Sequence, residues 1–99
     1  MAKFIQIVEF QSSRIDEIRA LGEDMRSQRD AGTVRGGSIT ADRDRPGHYR
    51  TIIEFDSYDE AMQNSARPET TEFASQMAKL CDGPPTFANL DVLDSWQAT

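Results

Sequence analysis

From Lys3 to Phe10 the chain crowds Phe, Ile and Val into a short run, the composition of a β-strand, and Gln11-Ser12-Ser13 interrupts it with turn and cap formers. The apolar positions then change to Ile15, Ile18, Leu21 and Met25, which is helical spacing, with Ser13 and Asp16 placed as a capping box. Acids at Asp16 and Glu17 and bases at Arg26 and Arg29 suit the two ends of that helix, and Gly32 supplies a stop. Residues Thr33 to Asp42 form a second strand, loosened by Gly36 and Gly37, which point to a bulge or a close backbone approach. The charged turn from Asp42 to Gly47 sends His48 to Phe55 back antiparallel as a hairpin partner.

Ser57 and Glu60 repeat the capping-box signature, and Tyr58, Ala61, Met62 and Ser65 share a helical face. Pro68 cannot continue this helix, because it has no N–H to donate to Asn64 and drives Arg67 out of the α region. A break is predicted there, after which Phe73, Met77, Leu80 and Cys81 resume a helical face. Asp82-Gly83-Pro84-Pro85 ends the helix, Thr86 to Leu93 forms the last strand, and residues 94–99 are a tail carrying Trp96. The order βαββαβ over one domain, residues 1–99, is the ferredoxin-like arrangement. Right-handed crossovers place both helices on one face of a four-stranded antiparallel sheet.

A sheet with one face in water alternates between apolar and polar residues, and here the alternation fails. Phe4, Val8 and Phe10 oppose Ile5 and Ile7, and Phe87 and Leu93 oppose Leu90 and Val92. Tyr49, Ile53 and Phe55 form a helix-facing set that leaves His48, Arg50, Ile52 and Glu54 for the free face. Shielding an apolar free face is worth several kcal/mol at roughly 25 cal/mol per Å². A second copy of the chain is the commonest cover, so a homodimer enclosing a lumen is expected.

The element order, the glycine turn into His48-Tyr49-Arg50, the strand Ile52-Ile53-Glu54-Phe55-Asp56 and the helix interrupted at Ser65-Ala66-Arg67-Pro68-Glu69-Thr70 carry a resemblance over nearly the whole chain. It resembles the dimeric α+β barrel superfamily, especially the small antibiotic-biosynthesis-monooxygenase-like proteins. The resemblance implies two sheets packed face to face around a lumen that binds small, often aromatic molecules. It also implies a range of roles, from cofactor-free oxygenases and isomerases to haem-degrading enzymes.

Composition narrows the partners. At 99 residues with a net charge of -6 and no basic run, the chain is a poor match for nucleic acid or an anionic membrane surface. An RNA-recognition domain shares the element order, but its third strand needs stacking aromatics where this chain has Arg50 and Ile52. No stretch has the length of a secretory apolar region or a membrane span, so a cytoplasmic protein is expected. With Cys81 and His48 each the sole residue of its type, neither an internal disulfide nor a structural zinc site is expected. Haem-degrading relatives use a His on the second helix, which is absent here, so no cofactor is expected.

The polar candidates for a ligand site are His48, Arg50 and Glu54, with Asn89 and Asp91 from the last strand and Gln6 from the first. In a functional reading His48 is a proton acceptor near neutral pH, Arg50 holds an anionic oxygen, and Asn89 or Gln6 orients a carbonyl. In a structural reading Arg50 simply pairs with Glu54 or Asp91, within or between subunits, since buried charges must be paired. Cys81 follows an apolar helical face and reads as packing rather than as a nucleophile. Three functions follow: a cofactor-free monooxygenase or isomerase of aromatic or polyketide-like compounds, a non-catalytic ligand-binding or accessory dimer, or a sensory module for another protein.

Overall fold

The computed structural model describes residues 2–28 and 32–98. The elements run β1 (Phe4–Gln11), α1 (Ile15–Gln28), β2 (Val34–Ala41), β3 (His48–Phe55), α2 (Tyr58–Ser65), α3 (Pro68–Leu80) and β4 (Thr86–Asp91). All pairings are antiparallel and the sheet order is β2-β3-β1-β4. The expected ferredoxin-like α+β architecture is present, and Pro68 splits the second helical segment into α2 and α3 by occupying the first turn of α3.

Two buried clusters join the helices to the sheet. Val8 and Phe10 of β1 pack with Ile18 and Met77, bordered by Leu21, Tyr49 and Phe73. Phe4 and Phe55 pack with Ala61, bordered by Val34, Ile53 and Met62. Every β1 contributor has the same parity, so the side carrying Phe4, Val8 and Phe10 is the one the helices cover. The helical layer is narrower than the sheet. On the two edge strands, helix-side residues Ile39 and Phe87 remain 40% and 61% exposed.

Ser57 caps α2 as expected, its hydroxyl accepting from the Glu60 amide at 3.2 Å. The predicted Ser13–Asp16 box does not form. Ser12 is the buried residue, accepting from the Arg14 amide at 2.9 Å and donating to the Leu80 carbonyl at 2.7 Å, while Ser13 donates to Asp82. The end of α3 competes for this hydroxyl, a long-range partner that local spacing does not show. Arg29, expected in the last turn of α1, lies outside the described residues.

The bulge anticipated at the paired glycines occurs as a register shift between Val34 and Gly36. Gly37 is the close approach: a Cβ there would lie 2.7 Å from the Ile52 carbonyl oxygen. The hairpin turn closes through Asp42 and His48 and uses Gly47 at φ 84, where a side chain would be strained. No helix among the described residues is long and apolar enough to cross a membrane.

Candidate functional site

Three chain segments converge at one end of the sheet. The Ser12 amide donates to the Gly47 carbonyl at 3.0 Å, tying the β2–β3 turn to the end of β1, and the Asp82 amide donates to the Gln11 carbonyl at 2.8 Å, tying the α3–β4 loop to the same place. Between them lies an open cleft of about 300 Å³ lined by Glu9, Gln11, Asp42, Arg45, His48 and Arg50, with Phe10, Tyr49, Asp82, Gly83, Pro84 and Thr86 completing the wall. That is the lower end of the size range of small-molecule sites.

The register explains how these side chains meet. Directly opposed residues of an antiparallel pair share a face. Glu9 opposes both Arg50 and Thr86, and Gln11 opposes His48, all on the side away from the helices. The same face carries Ile5, Ile7, Ile52, Ala88 and Leu90 through the pairs Ile7↔Ile52, Ile7↔Ala88 and Ile5↔Leu90. The cleft is thus the polar end of a largely apolar bare face.

His48 and Arg50 are brought together as expected, but Arg50 is already engaged. Its Nε donates to Glu9 at 2.5 Å, and Asp42 lies 3.9 Å from its other end. Hydrogen bonding and charge from Glu9 raise the Arg50 pKa. Asp42 accepts from two donors, the Asp44 amide at 3.0 Å and the Arg45 Nε at 3.1 Å, and forms a longer ion pair with Arg50 at 3.9 Å. The Asp44 amide first and the Arg45 guanidinium next depress its pKa.

Within the single chain Arg50 pairs with Glu9 and Asp42 rather than with Glu54 or Asp91. Glu54 shares the free face but stands four residues along β3, about 13 Å at the rise of a strand. Asp91 opposes Phe4 and therefore lies on the helix side. Gln6 and Asn89 are corrected in the same way. Gln6 is two residues from both Phe4 and Val8, it opposes Ile53 and Asn89, and its amide donates to the Asn89 side chain at 3.1 Å on the helix side. A free-face placement for Gln6, Asn89 and Asp91 violates the strand's two-residue period. Glu9, Asp42 and Asp82 join the site instead. Glu9 was legible from its parity with Ile5 and Ile7, whereas Asp42 and Asp82 come from loops whose approach no period records.

Cys81 sits at the end of α3, half-buried against the first cluster. Burial, and then the charge of Asp82, push its thiol pKa up, which fits packing rather than nucleophilic chemistry. Among the described residues no group of His, Cys, Asp and Glu side chains is arranged to hold a metal ion.

Solved structures share this architecture across almost the entire chain. A candidate antibiotic biosynthesis monooxygenase from Caulobacter crescentus superposes with TM-score 0.80 at 12% identity, covering 94% of this chain and 92% of its own. A Mycobacterium tuberculosis protein matches with TM-score 0.79 at 18% identity, covering 97% and 100%. SnoaB, a cofactor-independent oxygenase from Streptomyces nogalater, matches with TM-score 0.79 at 13% identity, covering 96% and 97%. The chain has the antibiotic-biosynthesis-monooxygenase-like fold. No protein-family model and no curated protein matches the sequence. The likeness at these identities is one of backbone.

Proposed function

We propose that the chain works as a homodimer that binds a small aromatic molecule against its bare sheet face and acts on it without a cofactor, as a monooxygenase-like enzyme. The observation that carries this reading is the continuity of the cleft with the apolar patch. Glu9, His48 and Arg50 lie on the same face as Ile5, Ile7, Ile52 and Leu90. A second copy laid on that patch would roof the cleft, exclude water and bury the ligand. The shared fold with a cofactor-independent oxygenase supports the chemistry. His48 is the proton acceptor in this reading, being the one imidazole at the cleft.

One observation favours a second reading, a binding or accessory dimer without chemistry. Arg50 is committed to Glu9 and Asp42, and Gln6 and Asn89 lie on the other face of the sheet from His48, so the groups expected to hold an anionic oxygen and orient a carbonyl are not assembled around it. Aerobic incubation with a panel of hydroxylated aromatic compounds separates the two. Oxygen uptake by the purified protein, lost in His48→Ala while ligand binding persists, supports the enzyme. Binding with no uptake by either protein establishes the accessory role, and uptake unaffected by His48→Ala removes His48 from the mechanism.

A further inference from the structure

The charges around the cleft restrict what it can hold. Its wall contains three carboxylates, Glu9, Asp42 and Asp82, against two guanidiniums, Arg45 and Arg50. Both guanidiniums are spoken for: Arg50 by Glu9 and Asp42, and Arg45 by Asp42 at 3.1 Å. Asp82 has no cationic partner among the described residues and accepts only from the Ser13 hydroxyl, at 3.3 Å. The uncompensated charge of the wall is therefore negative, and the chain's net charge of -6 adds to it. Asp82 also makes itself felt at Cys81, whose thiol it helps to push up after the larger effect of burial.

An anionic ligand entering this cleft would meet that charge and find no unengaged guanidinium. Freeing Arg50 for it would strand Glu9 beside the ligand. A neutral ligand bearing hydroxyls meets what the wall offers: carboxylate oxygens at Asp82, the Gln11 amide, the Thr86 hydroxyl and the His48 ring, beside Pro84. We infer that the cleft selects ligands that carry no negative charge and donate hydrogen bonds, and that Asp82 is the residue that rejects carboxylates. This rests on the cleft being the ligand site proposed above, and it reverses the expectation that Arg50 receives an anionic oxygen.

Naphthol and naphthoate are matched probes, differing in a neutral donor against a carboxylate. Titrations at neutral pH and low salt would follow the amide resonances of Gln11, His48, Asp82 and Thr86. The expected result is naphthol binding that moves these resonances and naphthoate binding at least about tenfold weaker. Asp82→Asn keeps the side chain's shape and its backbone bond to Gln11, and should bring the two affinities within about threefold. Added salt should narrow the wild-type ratio, as screening of an exposed charge requires. Naphthoate binding as tightly as naphthol, or a ratio untouched by Asp82→Asn, overturns the charge rule while leaving the cleft as the site. Failure of both probes to move any cleft resonance overturns the site itself, and the rule with it.

Discussion

Replacing Ile52 with Asp puts the proposed homodimer to its hardest test. Ile52 lies near the centre of the bare face, opposite Ile7 on β1 and Ser38 on β2, and it belongs to neither buried cluster. Full burial of a Leu or Ile side chain is worth roughly 1.5–3 kcal/mol. Leu90 is 42% exposed in the single chain, so about 0.6–1.3 kcal/mol of that gain is still available when a partner covers it. Ile5, Ile7 and Ile52 are partly buried by their neighbours and each retain a smaller share, roughly 0.3–0.6 kcal/mol. The patch therefore offers about 1.5–3 kcal/mol per copy, or about 3–6 kcal/mol for two. A carboxylate at position 52 forfeits part of this and must lose its hydration without a partner on the apolar face, a further cost of several kcal/mol. Since about 1.4 kcal/mol is a tenfold change in affinity, Ile52→Asp should weaken self-association by at least about a hundredfold. Sedimentation equilibrium over a dilution series measures this directly, and circular dichroism checks that the variant still folds, as both core clusters are intact. A wild-type protein with the mass of one chain at high concentration refutes the reasoning, and so does a folded Ile52→Asp protein that associates as tightly as wild type.

Other expectations follow from single positions. Gly37→Ala places a Cβ 2.7 Å from the Ile52 carbonyl oxygen, so one strand must shift; urea unfolding should show a loss of about 1–3 kcal/mol. Asp42 has a depressed pKa, so its contribution to stability is present above the usual aspartate range and is lost as pH falls through the lowered value. Asp42→Asn should therefore lower the melting temperature at neutral pH and leave it nearly unchanged in strong acid, a comparison that differential scanning calorimetry makes. Because burial and Asp82 raise the Cys81 pKa, its alkylation by iodoacetamide at mildly alkaline pH should be slower than that of a peptide thiol, and Asp82→Asn should speed it modestly.

Much of this architecture was determined locally, residue by residue. Each strand's composition, the capping of α2 by Ser57, the bulge at the paired glycines and the break at Pro68 depend on neighbours within a few positions, so spacing alone reveals them. His48, Arg50, Ile52 and Glu54 fell on the free face because β3 alternates strictly from a recognisable start. The same rule, applied to β1, excludes Gln6 from that face, since it shares parity with Phe4 and Val8.

Tertiary structure decided what one strand cannot state about another. The face on which Asn89 and Asp91 lie depends on the register of β4 against β1, which sets Asn89 opposite Gln6. The partner of Arg50 is Glu9, 41 positions away, rather than the nearby Glu54, because pairing across a sheet is set by register and not by distance along the chain. Asp42 and Asp82 reach the cleft through backbone bonds from the hairpin turn and from the end of α3 to the end of β1. Loops have no period, so their approach is fixed only when the layers pack.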